Sequence, residues 1–257
     1  MDRTILGVFS GKGGVGKTTI ASNIAVILSN AGSKVTLIDC NFSASHLAFY
    51  FNLHFTPLTL NNVLRREAKI EDASYKYHDL KIVPASFHPY ELYGVDISRL
   101  KKLIKKKLAD EEYIILDTAP GFGKETVTAA GAVDKAIIVT TPHLPSIMDV
   151  LRGVKIIERE GAEVIGVVLN KVRKKNYELG REDVEVLTNL KVLGEIPFSE
   201  KFYEALSLRV PLVEYEPKSI PALRLYRTVF NITGKDVSPE LSLWDRFKLM
   251  LTQKFRT

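Results

Sequence analysis

Residues Ser10 to Thr19 read Ser-Gly-Lys-Gly-Gly-Val-Gly-Lys-Thr-Thr, directly after the apolar run Thr4-Ile5-Leu6-Gly7-Val8-Phe9. The spacing G-x-x-x-x-G-K-T runs from Gly11 through Gly16 and Lys17 to Thr18, and its chemistry is the capture of a polyphosphate. Glycines 11, 13, 14 and 16 let successive backbone N–H groups turn inward as a concave anion nest. Lys17 supplies a point charge for the β and γ phosphates, and the Thr18 hydroxyl a ligand for Mg²⁺. With Val15 and Thr19, the stretch Gly11–Thr19 is the candidate nucleotide-binding segment. The helix that starts here carries Ile20, Ile24, Ile27 and Leu28 at helical spacing and aims its positive end at the same phosphates.

Carboxylates at two other strand ends complete this chemistry, since ligands of open parallel sheets sit at the carboxyl ends of strands. The run Tyr113-Ile-Ile-Leu-Asp117-Thr-Ala-Pro-Gly121 places Asp117 after apolar residues, as a carboxylate that would hold Mg²⁺ through water. Gly121 and Gly123 would let the following loop respond to the γ phosphate. A second run, Thr36-Leu-Ile-Asp39-Cys-Asn41, offers Asp39 to the metal or the attacking water, with Asn41 beside it. An amide accepts a hydrogen bond from water but takes no proton and adds no charge.

Lys12, a second lysine inside the nest, is not needed to hold phosphate within one subunit. The segment Gly11-Lys12-Gly13-Gly14-Val15-Gly16-Lys17-Thr18-Thr19 resembles the deviant Walker A motif of the MinD/ParA/Mrp group of ATPases. In that family the extra lysine reaches across a face-to-face dimer to the partner's nucleotide, so the resemblance makes Lys12 the residue that couples ATP to dimerisation. Asp117-Thr-Ala-Pro-Gly looks like the family's switch segment, with Ala119 in the usual proline position. The family usually carries D-x-D where this chain has Asp39-Cys40-Asn41, which implies that nucleotide binding survives and hydrolysis slows. The resemblance makes Asn170 the residue that hydrogen-bonds adenine. It likewise makes Pro197 and Phe198, in Gly194-Glu-Ile-Pro-Phe198, the loop that closes over the base. Asn170-Lys-Val-Arg173 lacks the aspartate by which N-K-x-D reads guanine, so ATP is favoured over GTP. The stretch from Arg209 to Ala222 also looks like MinD.

These residues need a frame. Apolar, β-branched runs recur at Ile5–Phe9, Lys34–Asp39, Leu80–Pro84, Tyr113–Asp117, Lys135–Thr141, Val164–Asn170 and Val192–Ile196. Helical patterns fall between them, near 18–31, 59–66, 96–108, 124–131, 145–160, 180–190, 199–207 and 219–233. That alternation predicts an α/β P-loop NTPase fold: one domain over residues 1–235, a mostly parallel, doubly wound sheet with helices on both faces. The 257 residues are enough for such a core. Polar Asp2-Arg3 leads straight into the first strand, so no signal peptide is expected, and no apolar run reaches the ~18 residues of a membrane span. The one cysteine, Cys40, leaves no internal disulfide and no paired-cysteine metal site. No metal beyond nucleotide-bound Mg²⁺ is indicated.

The net charge of +6 tilts toward an anionic partner, membrane surface or nucleic acid. Lysines 101, 102, 105, 106 and 107 lie on a helix with an apolar stripe of Leu100, Leu103, Ile104 and Leu108, which reads as a solvated face or as a binding patch. Lys171, Arg173, Lys174 and Lys175 form a denser basic loop that is either solvated or a contact for DNA or lipid. In residues 236–257, Leu243, Trp244, Phe247, Met250, Leu251 and Phe255 share one helical face, with basic residues opposite or flanking. Over 241–256 this is the pattern of an interfacial membrane helix, or of a helix packed on protein. The resemblance implies a MinD-like ATPase with cofactors ATP/ADP and Mg²⁺. It also implies an ATP-dependent homodimer, cytoplasmic and peripheral on the inner membrane face, with a regulatory protein partner. The alternatives are a ParA-like, DNA-associated segregation ATPase and an ATP-binding scaffold that barely hydrolyses.

Overall fold

The computed structural model describes residues 3–237; the amphipathic segment at 241–256 lies outside them. Eight strands form one sheet: β1 (Thr4–Phe9), β2 (Val35–Cys40), β3 (Tyr75–Tyr77), β4 (Leu80–Val83), β5 (Tyr113–Thr118), β6 (Lys135–Thr140), β7 (Glu163–Val172) and β8 (Val192–Pro197), in the order β3-β4-β2-β5-β1-β6-β7-β8. Every neighbouring pair is parallel except β3 and β4. All seven expected strands are present. The eighth, β3, is a three-residue edge joined to β4 by a turn in which His78 takes a positive φ of 51°. Three residues are too few for alternation to register, and the turn lacks the glycine or Asn-Gly pair that signals a hairpin.

Helices cover both faces: α1 (Lys17–Asn30), α2 (Leu60–Arg65), α3 (Leu100–Lys107), α4 (Lys124–Ala130), α5 (Leu144–Arg159), α6 (Arg181–Thr188), α7 (Lys201–Ser207), α8 (Leu212–Tyr215) and α9 (Ile220–Thr233). The short α8 was not expected, and the expected helix over 96–108 is a 3₁₀ turn (Ile97–Arg99) running into α3. In α3, Leu100 and Ile104 are buried and lysines 101, 102, 105 and 106 are exposed, the solvated-face arrangement.

The two-residue period of the strands divides the core. Ile5, Phe9, Ile114, Leu116 and Ile138 point to the side that also buries Leu100 of α3, Ala129 of α4 and Ile147 of α5. Leu6, Val8, Ile115, Ile137 and Val139 point to the other, against α1 and α9. Helix α1 buries residues on all its sides, among them Ile20, Ala21, Ile24, Ala25, Val26 and Ile27. It is held between the sheet and α8–α9, which fixes its N-terminus. At the carboxyl edge, the β2–β5 register sets Asp39 directly beside Asp117. Among the described residues, no helix is long and apolar enough to cross a membrane.

The seam between β8 and α9 is tight at Gly194, where a Cβ would lie 1.9 Å from Thr228 Oγ1 and 2.9 Å from Thr228 Cβ. Gly194→Ala should therefore cost about 1–3 kcal/mol of stability, as overpacking does in well-packed cores. A lowered urea midpoint with an unchanged m-value would show it.

Candidate functional site

Strand β1 delivers the chain into the loop from Ser10 to Gly16, and α1 begins at Lys17. Gly16 takes a φ of +92°, and a Cβ there would sit 2.2 Å from Asn170 Nδ2, so both conformation and space demand glycine. Asn170, buried at the end of β7, donates that amide to the Val15 carbonyl at 2.8 Å. The next residue, Lys171, donates its ammonium to the Gly14 carbonyl at 2.7 Å. Gly11 is fixed from another side: a Cβ there would meet Asp149 Cβ of α5 at 2.4 Å. Two of the loop's carbonyls, Gly14 and Val15, are thus taken by β7, which turns them away from the concave side where N–H groups could form a nest.

Asp117 gathers the side chains that follow. Its Oδ1 pairs with Lys17 Nζ at 2.5 Å and its Oδ2 accepts from Thr18 Oγ1 at 2.6 Å. Lys17 is only 6% exposed, so a charged partner is obligatory. Asp39 is fully buried and accepts from Ser45 Oγ at 2.7 Å and from the Asn41 N–H at 2.9 Å. Burial, and after it the Asp117 carboxylate alongside, push the Asp39 carboxyl up to about 7. Asn41 spends its amide N–H on Ala44 O at 2.7 Å, while its Oδ1 is buried with no hydrogen-bond partner. Lys12 lies exposed at the mouth, and its ammonium makes no hydrogen bond or ion pair among the described residues.

A cleft of about 770 Å³ opens over this loop, within the range of small-molecule sites. Its walls include Lys12 to Thr19, Asn41, Asn170, Pro197 and Phe198, which the sequence placed in one site. Asp117 and Asp39 lie beneath the walls, and Gly11 is absent from them because it packs on Asp149. A hydroxyl and a carboxylate in contact, with a second carboxylate beside them, are the hard oxygen donors that Mg²⁺ takes.

Several wall residues carried no signal in the sequence. Tyr50, in a 3₁₀ turn after β2, hydrogen-bonds Thr19 Oγ1 at 3.0 Å. Phe202, Tyr203 and Leu206 of α7 and Arg209 form an apolar flank with one cation. The Arg173 guanidinium lies 3.8 Å from the Phe198 ring centroid. Two of the four cations in the 171–175 loop are therefore committed to this site rather than free for an outside partner. Serines 43 and 45 could have been suspected only from lying two and four residues past Asn41.

Known proteins resemble this arrangement along almost its whole length. The ParA family model, described as NUBPL iron-transfer P-loop NTPase, matches residues 2–233. An uncharacterized ATP-binding protein of Methanocaldococcus jannaschii is 35% identical over 252 residues, 98% of this chain and 94% of that protein. The septum site-determining protein MinD of Synechocystis is 29% identical, covering 92% of this chain and 91% of its own. Among solved structures, the septum site-determining protein MinD of Pyrococcus horikoshii, complexed with Mg-ADP, superposes with a TM-score of 0.87 at 25% identity. It covers 90% of this chain and 96% of that one.

The Asp39 carboxyl has a testable cost. Its folded value of about 7 exceeds the ordinary 3.8, so the folded protein binds more protons than the unfolded chain between those values. Stability from this group falls as pH rises through that window and stays lowered above it. Without nucleotide or Mg²⁺, Asp39→Asn should raise the thermal midpoint more at pH 8 than at pH 4.5. An equal shift at both values would show that Asp39 ionises normally.

Proposed function

The chain belongs to the ParA family of P-loop NTPases, and on that premise we propose that it is a MinD-type ATPase. Its ATP form pairs with a second copy and docks peripherally on the inner face of the cell membrane. The observation that carries this reading is the contrast between two lysines of one loop. Lys17 is buried and paired to Asp117, whereas Lys12 is exposed at the mouth with its charge unspent. A charge placed to serve a phosphate within its own subunit would be enclosed like Lys17; one that serves a neighbouring subunit must project.

The residues divide the work. The backbone of Gly13 to Thr19 cradles the phosphates, Lys17 neutralises them, and Asn170, Pro197 and Phe198 receive the base. Thr18 and Asp117 hold Mg²⁺, with Asp39 in support. Bound Mg²⁺ supplies charge neutralisation at the β and γ phosphates. Asn41, at the cleft wall, would turn its buried, unpaired carbonyl oxygen toward the nucleotide to orient the attacking water without taking its proton, so basal turnover is slow. Residues 1–235 form the ATPase domain, and 236–257 the tail that meets anionic lipid or a regulatory protein.

Two other uses of this family's fold are less well supported. Iron transfer calls for accessible thiolates, but the one cysteine, Cys40, is buried, and burial raises its thiol well above the ordinary value. DNA association would use the 171–175 loop, of which Lys171 and Arg173 already serve the cleft.

Lys17→Ala should abolish nucleotide binding, while Lys12→Ala should keep ADP affinity and lose the ATP-dependent dimer. Light scattering with ATP decides between them, and a normal dimer from the Lys12 variant refutes the cross-subunit role. Truncation after Pro239 should leave ATP binding intact and abolish pelleting with anionic liposomes. Pelleting of the intact chain should be stronger with ATP than with ADP, because a dimer presents two tails. An intact chain that ignores liposomes in both states makes the tail a protein-docking helix.

A further inference from the structure

Two segments flank the phosphate site, the loop after β2 carrying Asn41 and the loop after β5 with the start of α4, and among the described residues one side-chain hydrogen bond joins them. Ser43 donates its hydroxyl to Glu125 Oε1 in the first turn of α4. Four buried side-chain polar atoms lack a hydrogen-bond partner among the described residues, and two sit on this link: Glu125 Oε2 and Asn41 Oδ1. Folded proteins pair almost all such atoms, so two on one link point to a working part.

The link is continuous with the phosphate loop at its far end. The Gly121 N–H donates to the Ser10 carbonyl at 2.9 Å, tying the post-β5 loop to the residue before Gly11. Thr126 Oγ1 donates to the Ala119 carbonyl at 3.1 Å, tying the same loop to α4 one residue beyond Glu125. At the near end, Asn41 Nδ2 closes its own loop on Ala44 O at 2.7 Å, with Ser43 inside that closure.

We propose that Glu125 is a positioning residue: by gripping Ser43 it sets the loop that carries Asn41 and passes the state of the 118–123 loop on to it. The inference rests on the ATPase reading above. In this chain the water-orienting side chain is a neutral amide, which has no charge to draw it to the metal. A contact from another element therefore has to hold it in place. Neither Ser43 nor Glu125 lines the cleft, so neither touches the nucleotide.

The test uses the full chain with Ser43→Ala, Glu125→Ala, the double variant and the conservative Ser43→Thr. In phosphate release at saturating ATP and Mg²⁺, each alanine variant should lose roughly three- to tenfold in turnover, the range of residues that act through others. The double variant should lose no more than either single one, and Ser43→Thr should restore the rate. ADP affinity and the thermal midpoint should stay unchanged, which a purely structural contact would not allow. Amide hydrogen exchange over residues 41–46 reads the link without any hydrolysis. Exchange should rise in both alanine variants, equally and without addition, with or without a non-hydrolysable ATP analogue. Unchanged exchange, or additive losses of turnover, overturns the inference. An intact link in a protein that never releases phosphate overturns the ATPase reading alone.

Discussion

Everything at the carboxyl edge of the sheet depends on the ion pair between Lys17 and Asp117. Burying an ammonium and a carboxylate together is tolerable only if each finds its counter-charge and the leftover oxygen finds a donor. Thr18 provides that donor at 2.6 Å, so one carboxylate satisfies the first two residues of α1. The pair also sets the neighbour's chemistry. Asp39, one strand over and in register with Asp117, meets a second negative charge in a water-free setting, and its proton is held to about 7. The sheet's register, rather than any local feature of residues 36–41, is what places the two carboxylates together.

The central strands and long helices were legible because β1, β5 and β6 are unbroken apolar, β-branched runs buried on both faces, and α3, α5 and α9 keep a 3.6-residue apolar period. What escaped notice lacked length. Tyr75–Tyr77 and Leu212–Tyr215 are one or two turns of pattern, stabilised by neighbours rather than by their own composition. The phosphate loop was readable in full because its chemistry is local in sequence. The far wall was not, because Tyr50 and the pair Tyr203 and Arg209 come from two distant segments that meet only when α7 folds back against the 3₁₀ turn after β2. Lys171 shows the same limit differently: its charge stood out, but only the fold gives that charge to the Gly14 carbonyl.

Rigidity is distributed unevenly around the site. Helix α1 is enclosed between the sheet and α9, and its first residue is locked to β5, so the phosphate floor has little freedom. The loops after β2 and β5 are instead held largely by hydrogen bonds, to Asp39, Ala44 and Glu125 in the first and to Ser10 and Thr126 in the second. Such a division suits a molecule that must hold one part of a ligand fixed while responding to another part.

Adjacent residues of β7 carry one more consequence. Asn170 lines the cleft, yet its amide already supports Val15, and Lys171 supports Gly14. The strand end proposed to receive the base is therefore the same one that braces the loop proposed to cradle phosphate. Anyone redesigning this protein to accept a different purine by changing Asn170 or Lys171 would loosen the grip on the triphosphate in the same stroke. On the proposed reading, base preference and phosphate affinity are mechanically one property, and a change in specificity would have to begin on α7 or at Phe198, which make no such bond to the loop.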